Sequence, residues 1–178
     1  MRQDRARKPR PPLDQEGLER LALFYAGRYA TTRAKLRTYL KRKVVERGWD
    51  GKAAPPIEAL VEKLAGLRYV DDKAFAQARG AALTRRGFGE RRVGEALRAA
   101  GIEEEDAEEA KGEARESAWT SALRFAERKR LGPYAQAPHD QASRQKAAGA
   151  MLRAGHPFGL VRRILNASPG EIPDSDGS

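Results

Sequence analysis

The chain of 178 residues contains no cysteine, so disulfides and thiol chemistry are excluded. This fits a reducing compartment, and cytoplasmic location is the expectation. Histidine is nearly absent too, with only His139 and His156. Each lies beside a proline or a helix boundary, without a second ligand at metal-binding spacing. No apolar run is long enough to span a membrane. Met1 to Pro12 has no apolar core segment, so it is not expected to be a secretory signal. Alternating strand patterns and β-branched clusters are scarce, which argues against a sheet. Aromatics make up only 7% of the chain. Phe24, Tyr25, Phe75, Trp119 and Phe125 sit at helical spacing among aliphatic neighbours and are expected in the core. Phe88, between two glycines, either plugs a core or stacks on a nucleic-acid base.

What is present is helix and positive charge. The formal net charge is +10, which points to a polyanionic or acidic partner. The charge is segregated. Residues 28–52 carry nine Lys/Arg against two acids, and residues 73–101 carry seven against two. Glu103 to Glu116 then reverses sign, with eight acids against two bases. The last eleven residues, Ser168 to Ser178, are polar, acidic and rich in Pro and Gly.

The clearest local unit runs from Tyr69 to Ile102. An acidic cap at Asp71 or Asp72 opens a helix with Phe75 and Ala78 facing inward. Gly87-Phe88-Gly89 breaks it, and a second, basic helix turns Val93 and Leu97 inward before stopping at Gly101. Related spacing appears on either side, at Leu36, Leu40 and Val44, and at Ala147 and Met151 before Gly155. The repeat length is about 55 residues, and stacked copies would extend a core that one copy is too small to build. The expected fold is therefore all-α, with three tandem three-helix repeats in an elongated curved stack. The expected divisions are a disordered basic arm at 1–13, repeats at 14–68, 69–115 and 116–167, and a disordered acidic tail at 168–178.

Further helices are expected at Leu18 to Tyr29, from the Thr32 cap to about Arg47, from Pro55-Pro56 to Gly66, at 103–115 with a continuation through Trp119, and at 140–154 and 158–166. Leu131 to Pro138 reads as a loop. At about 100° per residue, Leu36, Leu40 and Val44 face inward while Lys35 and Arg42 face away, with Arg37 and Lys41 on the flank. Arg91, Arg92 and Arg98 face out from the second basic helix, and Arg162 and Arg163 from the last, where Leu160, Val161 and Ile164 face in. With Arg85, Arg86 and Arg153, these cations are the candidate binding residues for a nucleic acid or filament. The competing reading is a solvated charged face without a ligand.

No catalytic constellation stands out, and neither a cofactor nor a metal is expected. The acids of Glu103 to Glu109 suit the first turn of a helix, where they favour its dipole, better than a two-metal site. Asp71-Asp72 likewise suits capping better than acid–base work.

Tyr69-Val-Asp-Asp-Lys-Ala-Phe-Ala76, Arg86-Gly-Phe-Gly-Glu-Arg-Arg-Val93 and Leu97-Arg-Ala-Ala-Gly-Ile102 resemble the RecX family of bacterial recombination regulators. Thr32-Arg-Ala-Lys-Leu36 is similar to the family's Ser-x-x-Glu-Leu opening, and Met151-Leu-Arg-Ala-Gly-His-Pro-Phe158 to its Leu-x-x-x-Gly-Phe ending. Lys35 departs from the family's Glu and removes a capping box, and His156-Pro157 interrupts the Gly-Phe junction. The resemblance covers about residues 15–167. It implies tandem three-helix repeats, binding in the groove of a RecA filament on DNA, and negative modulation of the recombinase. The expected function is to bind the filament on single-stranded DNA and to modulate, mainly by inhibition, its recombinase, ATPase and co-protease activities. Weaker direct binding to DNA and no membrane partner are expected. The lack of a long coiled-coil seam favours a monomer. The alternatives are a DNA-binding protein that acts without RecA and, in a different class, a nuclease.

Overall fold

A computed structural model of the chain describes residues 11–175. Most of the expected basic arm, residues 1–10, and the last three residues of the expected tail lie outside that range. Among the described residues there are nine α-helices and no strand. The chain divides into two compact units, the first ending at Asp72 and the second beginning at Lys73.

In the first unit α1 (Gln15–Arg28), α2 (Arg33–Arg47) and α3 (Ile57–Gly66) surround one apolar cluster. Local chemistry sets each start. The Asp14 carboxylate accepts the Gly17 N–H at 2.8 Å, and the Thr32 hydroxyl accepts the Lys35 N–H at 3.1 Å. Both satisfy first-turn donors that have no intrahelical partner. Pro56 precedes α3, where its missing N–H costs nothing. Leu18 and Ala22 of α1, Leu36 and Leu40 of α2, and Leu60, Val61 and Leu64 of α3 are buried against one another. Each buried Leu contributes about 1.5–3 kcal/mol in removing apolar surface from water. Val44 is only half-buried at the edge of this cluster.

Leu13 was expected at the end of the arm, yet it is 1% exposed. It pairs with the segment after α2: Leu13 N–H donates to Gly48 O at 2.9 Å, and Asp50 N–H donates to Leu13 O at 2.8 Å. An apolar residue after two prolines is thus pinned as a short bridge to Trp49. The same unit closes on Asp72, a buried carboxylate that accepts the Arg33 N–H at 2.9 Å. Asp72 is therefore bound to the first turn of α2, thirty-nine residues back, as well as standing at the start of its own helix.

The second unit holds α4 (Asp72–Arg85), whose first residue belongs to the first unit, α5 (Glu90–Ala99), α6 (Glu104–Glu116), α7 (Ala118–Lys129), α8 (Gln141–Arg153) and α9 (Phe158–Asn166). Only Ser117 separates α6 from α7. The expected loop after Leu131 contains a 3₁₀ turn at Gly132–Tyr134. One apolar cluster lies among α4, α5 and α6, and another among α7, α8 and α9. Phe88 packs against both, so the structure uses it as a plug between them.

Ala78 is exposed, contrary to the inward position read from spacing. The buried row of α4 is Ala76, Gly80 and Leu83. Gly80 takes the contact with α6: a methyl there would lie 3.1 Å from the Ala110 methyl. Small residues at Gly80, Ala107, Ala110 and Ala114 let these helices approach closely. Phe24 is also misread by spacing, being 57% exposed, whereas Phe125 is buried and Tyr25, Phe75 and Trp119 are half-buried.

The tail is tied at two points. Gly170 N–H donates to Pro133 O at 2.8 Å, and the Arg163 guanidinium donates to Asp174 O.

Candidate polyanion-binding surface

On the first unit the cations sit on α2. Lys35, Lys41 and Arg42 are exposed, and Arg37 is half-buried. The sign of this face is moderated by α3. Arg37 Nε donates to both Glu58 oxygens, at 2.9 and 2.7 Å, and Lys41 Nζ lies 3.7 Å from the same carboxylate. The hydrogen bond from Arg37, then the charges of Arg37 and Lys41, hold the Glu58 carboxyl below its ordinary value. Arg42 and Lys43 share Glu46 in the same way, at 3.5 and 2.5 Å. The helix is basic in sum, but most of its cations have an acid within reach.

Spacing also missed a group on this unit. Tyr25 of α1 stacks on Tyr39 of α2 with ring centroids 4.1 Å apart and planes 13° from parallel. Tyr29 leans on Tyr25 at 5.3 Å. The Arg28 guanidinium lies 5.9 Å from the centroids of both Phe24 and Tyr29. Arg42 and Lys43 lie 5.8 and 5.7 Å from the Tyr39 centroid.

The second unit gathers cations at two places. Arg91 and Arg98 line an open cleft of about 510 Å³ together with Lys111 and Arg115 of α6, Glu90, and the turn Gly155–Pro157. Arg91 pairs with Glu95 at 2.6 Å and donates to Leu152 O. Arg92 reaches the same Glu95 at 3.2 Å. Lys111 pairs with Glu104, and Arg115 pairs with Glu90 at 2.6 Å. Hydrogen bonds to those carboxylates raise both cations above their ordinary values. Lys111 and Arg115 were not singled out from sequence because they are the two bases of a strongly acidic run. Their separation of one helical turn is the signal that they share a face.

The other gathering is around Phe88, where Arg86 and Arg128 lie 5.6 and 5.7 Å from the ring centroid. Arg128 also donates to Arg86 O, which fixes the pair. Arg85 and Arg153 are exposed. Arg162 is exposed, but Arg163 does not point away as read: it lies 4.7 Å over the Trp119 ring and is half-buried. An aromatic face attracts a guanidinium even near the surface, and helix spacing alone is blind to that neighbour.

Beside the cleft lies His156, 3% exposed. Its Nε2 is 3.1 Å from Gly87 O, so in the neutral ring Nε2–H is the donor and Nδ1 is the bare acceptor. Nδ1 has no partner. Burial pushes this histidine below its ordinary value, with the Gly87 carbonyl pulling the other way. His139 instead approaches the Gly132 N–H at 3.4 Å. The described residues contain no group of three or more His, Asp or Glu able to hold a metal. They also contain no helix long and apolar enough to cross a membrane.

The class is all-helical, with short helices around compact apolar clusters and its cations on helix faces. No protein-family model matches the chain. It is 32% identical over 160 residues to the regulatory protein RecX of Myxococcus xanthus (strain DK1622), covering 85% of this chain and 86% of that protein. The fold is similar to the crystal structure of RecX from Lactobacillus salivarius, with a TM-score of 0.61 at 18% identity, covering 85% of this chain and 94% of that one. A crystal structure of a regulatory protein RecX gives a TM-score of 0.63 at 21% identity, over 85% of this chain and 71% of that one. The chain belongs to the RecX family of regulatory proteins.

Proposed function

We propose that this protein binds the RecA filament on single-stranded DNA and mainly inhibits its recombinase, ATPase and co-protease activities, acting in the cytoplasm as a monomer and without catalysis of its own. The observation that carries this reading is the family relationship over most of both chains. The basic faces of α2 and α5 support it, because a nucleoprotein filament presents regularly spaced acidic groups. We further read the three apolar clusters as three tandem helical repeats, each presenting cations from one helix to the filament. The binding residues in this reading are Lys35, Arg37, Lys41, Arg42, Arg85, Arg86, Arg91, Arg92, Arg98, Arg153, Arg162 and Arg163. Regulation then needs only a difference in affinity between filament states.

The test is single-strand-dependent ATP hydrolysis by RecA as this protein is titrated in, beside a control that measures binding to bare DNA. Falling hydrolysis at substoichiometric protein, with weak binding to bare DNA, is expected. Unchanged hydrolysis alongside tight binding to bare DNA would replace the reading with a DNA-binding protein that acts without RecA. Magnesium-dependent cleavage of labelled DNA would replace it with a nuclease.

A further inference from the structure

The rings on α1 and α2 have a placement that a core role does not explain. Phe24 is 57% exposed and Tyr29 is 50% exposed, although both are large and apolar. Tyr29 continues into Tyr25 and Tyr39, whose near-parallel stack at 4.1 Å anchors the row to the buried cluster. Tyr29 is thus mounted on a rigid base, and Phe24 is linked to it through the Arg28 guanidinium, which lies 5.9 Å from both centroids. Exposed side chains scattered singly need no explanation, but two exposed rings sharing one cation beside a ring stack do.

Cations flank that row. Arg28 sits between Phe24 and Tyr29 and forms no ion pair among the described residues. Arg42 and Lys43 stand beside Tyr39, with Glu46 as the acid they share. Alternating rings and cations suit a ligand that alternates flat apolar faces with anionic links. Single-stranded nucleic acid has that chemistry: each base offers a π-face, and each link offers a phosphate. A duplex does not fit as well, because its bases are already stacked on each other. A second copy of the chain is disfavoured by charge, since residues 28–52 carry nine bases against two acids and would repel their like.

We propose that Phe24 and Tyr29, with Arg28 beside both, the Tyr25–Tyr39 stack behind Tyr29, and Arg42 and Lys43 beside Tyr39, form a stacking platform for unpaired bases of single-stranded nucleic acid. This deepens the proposed function by naming the ligand of one surface, and it rests on the reading that the protein works on single-stranded DNA. Recognition here is by base faces and does not depend on sequence. The cations of the platform hold the phosphates on either side.

The test compares fluorescence anisotropy of a labelled oligothymidylate with that of an abasic oligomer of equal length, at one salt concentration and without RecA. The phosphates are the same in both, so only base contacts differ. The unmodified protein should prefer the oligothymidylate. The double variant Phe24→Ala, Tyr29→Ala should bind it roughly five- to a hundredfold more weakly, with little change on the abasic oligomer. Tyr29→Phe keeps a ring and should retain binding. Both positions are half-exposed or more, and circular dichroism will verify that helicity is kept. Equal binding of the two oligomers by the unmodified protein would overturn the proposal. So would unchanged binding by the double variant, or a concentration-dependent dimer that this variant abolishes. RecA hydrolysis measured separately keeps the two readings apart: inhibition retained in a protein without base preference would sink the platform alone.

Discussion

At the scale of single residues, one tight constraint lies where α5 begins beside the end of α8. Gly89 N–H donates to Ala154 O at 2.9 Å. A methyl on Gly89 would lie 2.4 Å from Gly155 O, and one on Gly155 would lie 2.5 Å from the Arg92 nitrogen. Gly155 also holds φ at +94°, a region that side-chain-bearing residues rarely adopt. Neither neighbour can yield, because both are backbone. Gly155→Ala is expected to lower stability by roughly 2–4 kcal/mol in denaturant unfolding. Gly112, inside α6 with open space around its Cα, should behave oppositely, and Gly112→Ala should stabilise by about 0.5–1 kcal/mol. His156 gives a pH dependence. Burial lowers its pKa in the folded state, so the unfolded chain binds the proton more tightly. Its contribution to stability is present above the unfolded value of 6.5 and is lost as pH falls through that value towards the folded one. Thermal unfolding from pH 8 to 5 should show this loss, and His156→Phe should flatten the slope relative to the unmodified protein.

At the scale of elements, charge is decided by what packs beside a helix. Arg37 and Lys41 of α2 meet Glu58 of α3, and the hydrogen bond from Arg37, then the charges of both cations, hold that carboxyl below its ordinary value. Glu58→Gln should leave both cations available to a polyanion. Affinity for single-stranded DNA is expected to rise, and its salt dependence to steepen by about 0.7 log units per added phosphate contact. Helicity and melting temperature should hardly move, because exposed ion pairs stabilise little. A large drop in melting temperature would show that the pair is structural instead.

At the scale of the whole molecule, filament binding in our reading is distributed over many helix-borne cations, so several must be changed together. Reversing charge at Lys35, Arg42, Arg91 and Arg92 is expected to weaken filament binding strongly while the circular dichroism spectrum keeps its helical form. Arg92 and Arg91 share Glu95, so reversal there also creates repulsion within α5, and the spectrum is a necessary control. Full inhibition of RecA by the helical variant would remove these residues from the interface.

Much of this architecture could be read from the chain itself, because it depends on neighbours within a turn or two. The Thr32 cap, the Leu36–Leu40 row, the Gly87–Gly89 break and the Gly101 stop are all local, and the helices start and end within a residue or two of those signals. The total charge and its segregation are likewise properties of the sequence. Tertiary structure decided what lies opposite each face. It took Leu13 out of the arm and into the core, turned Ala78 and Phe24 outward, laid Arg163 on Trp119, and bound buried Asp72 to the start of α2. It also placed Lys111 and Arg115 beside Arg91 and Arg98, and joined Tyr25 to Tyr39. Helical periodicity gives the direction of a side chain about its own axis, whereas burial, pairing and stacking depend on which other helix occupies that direction.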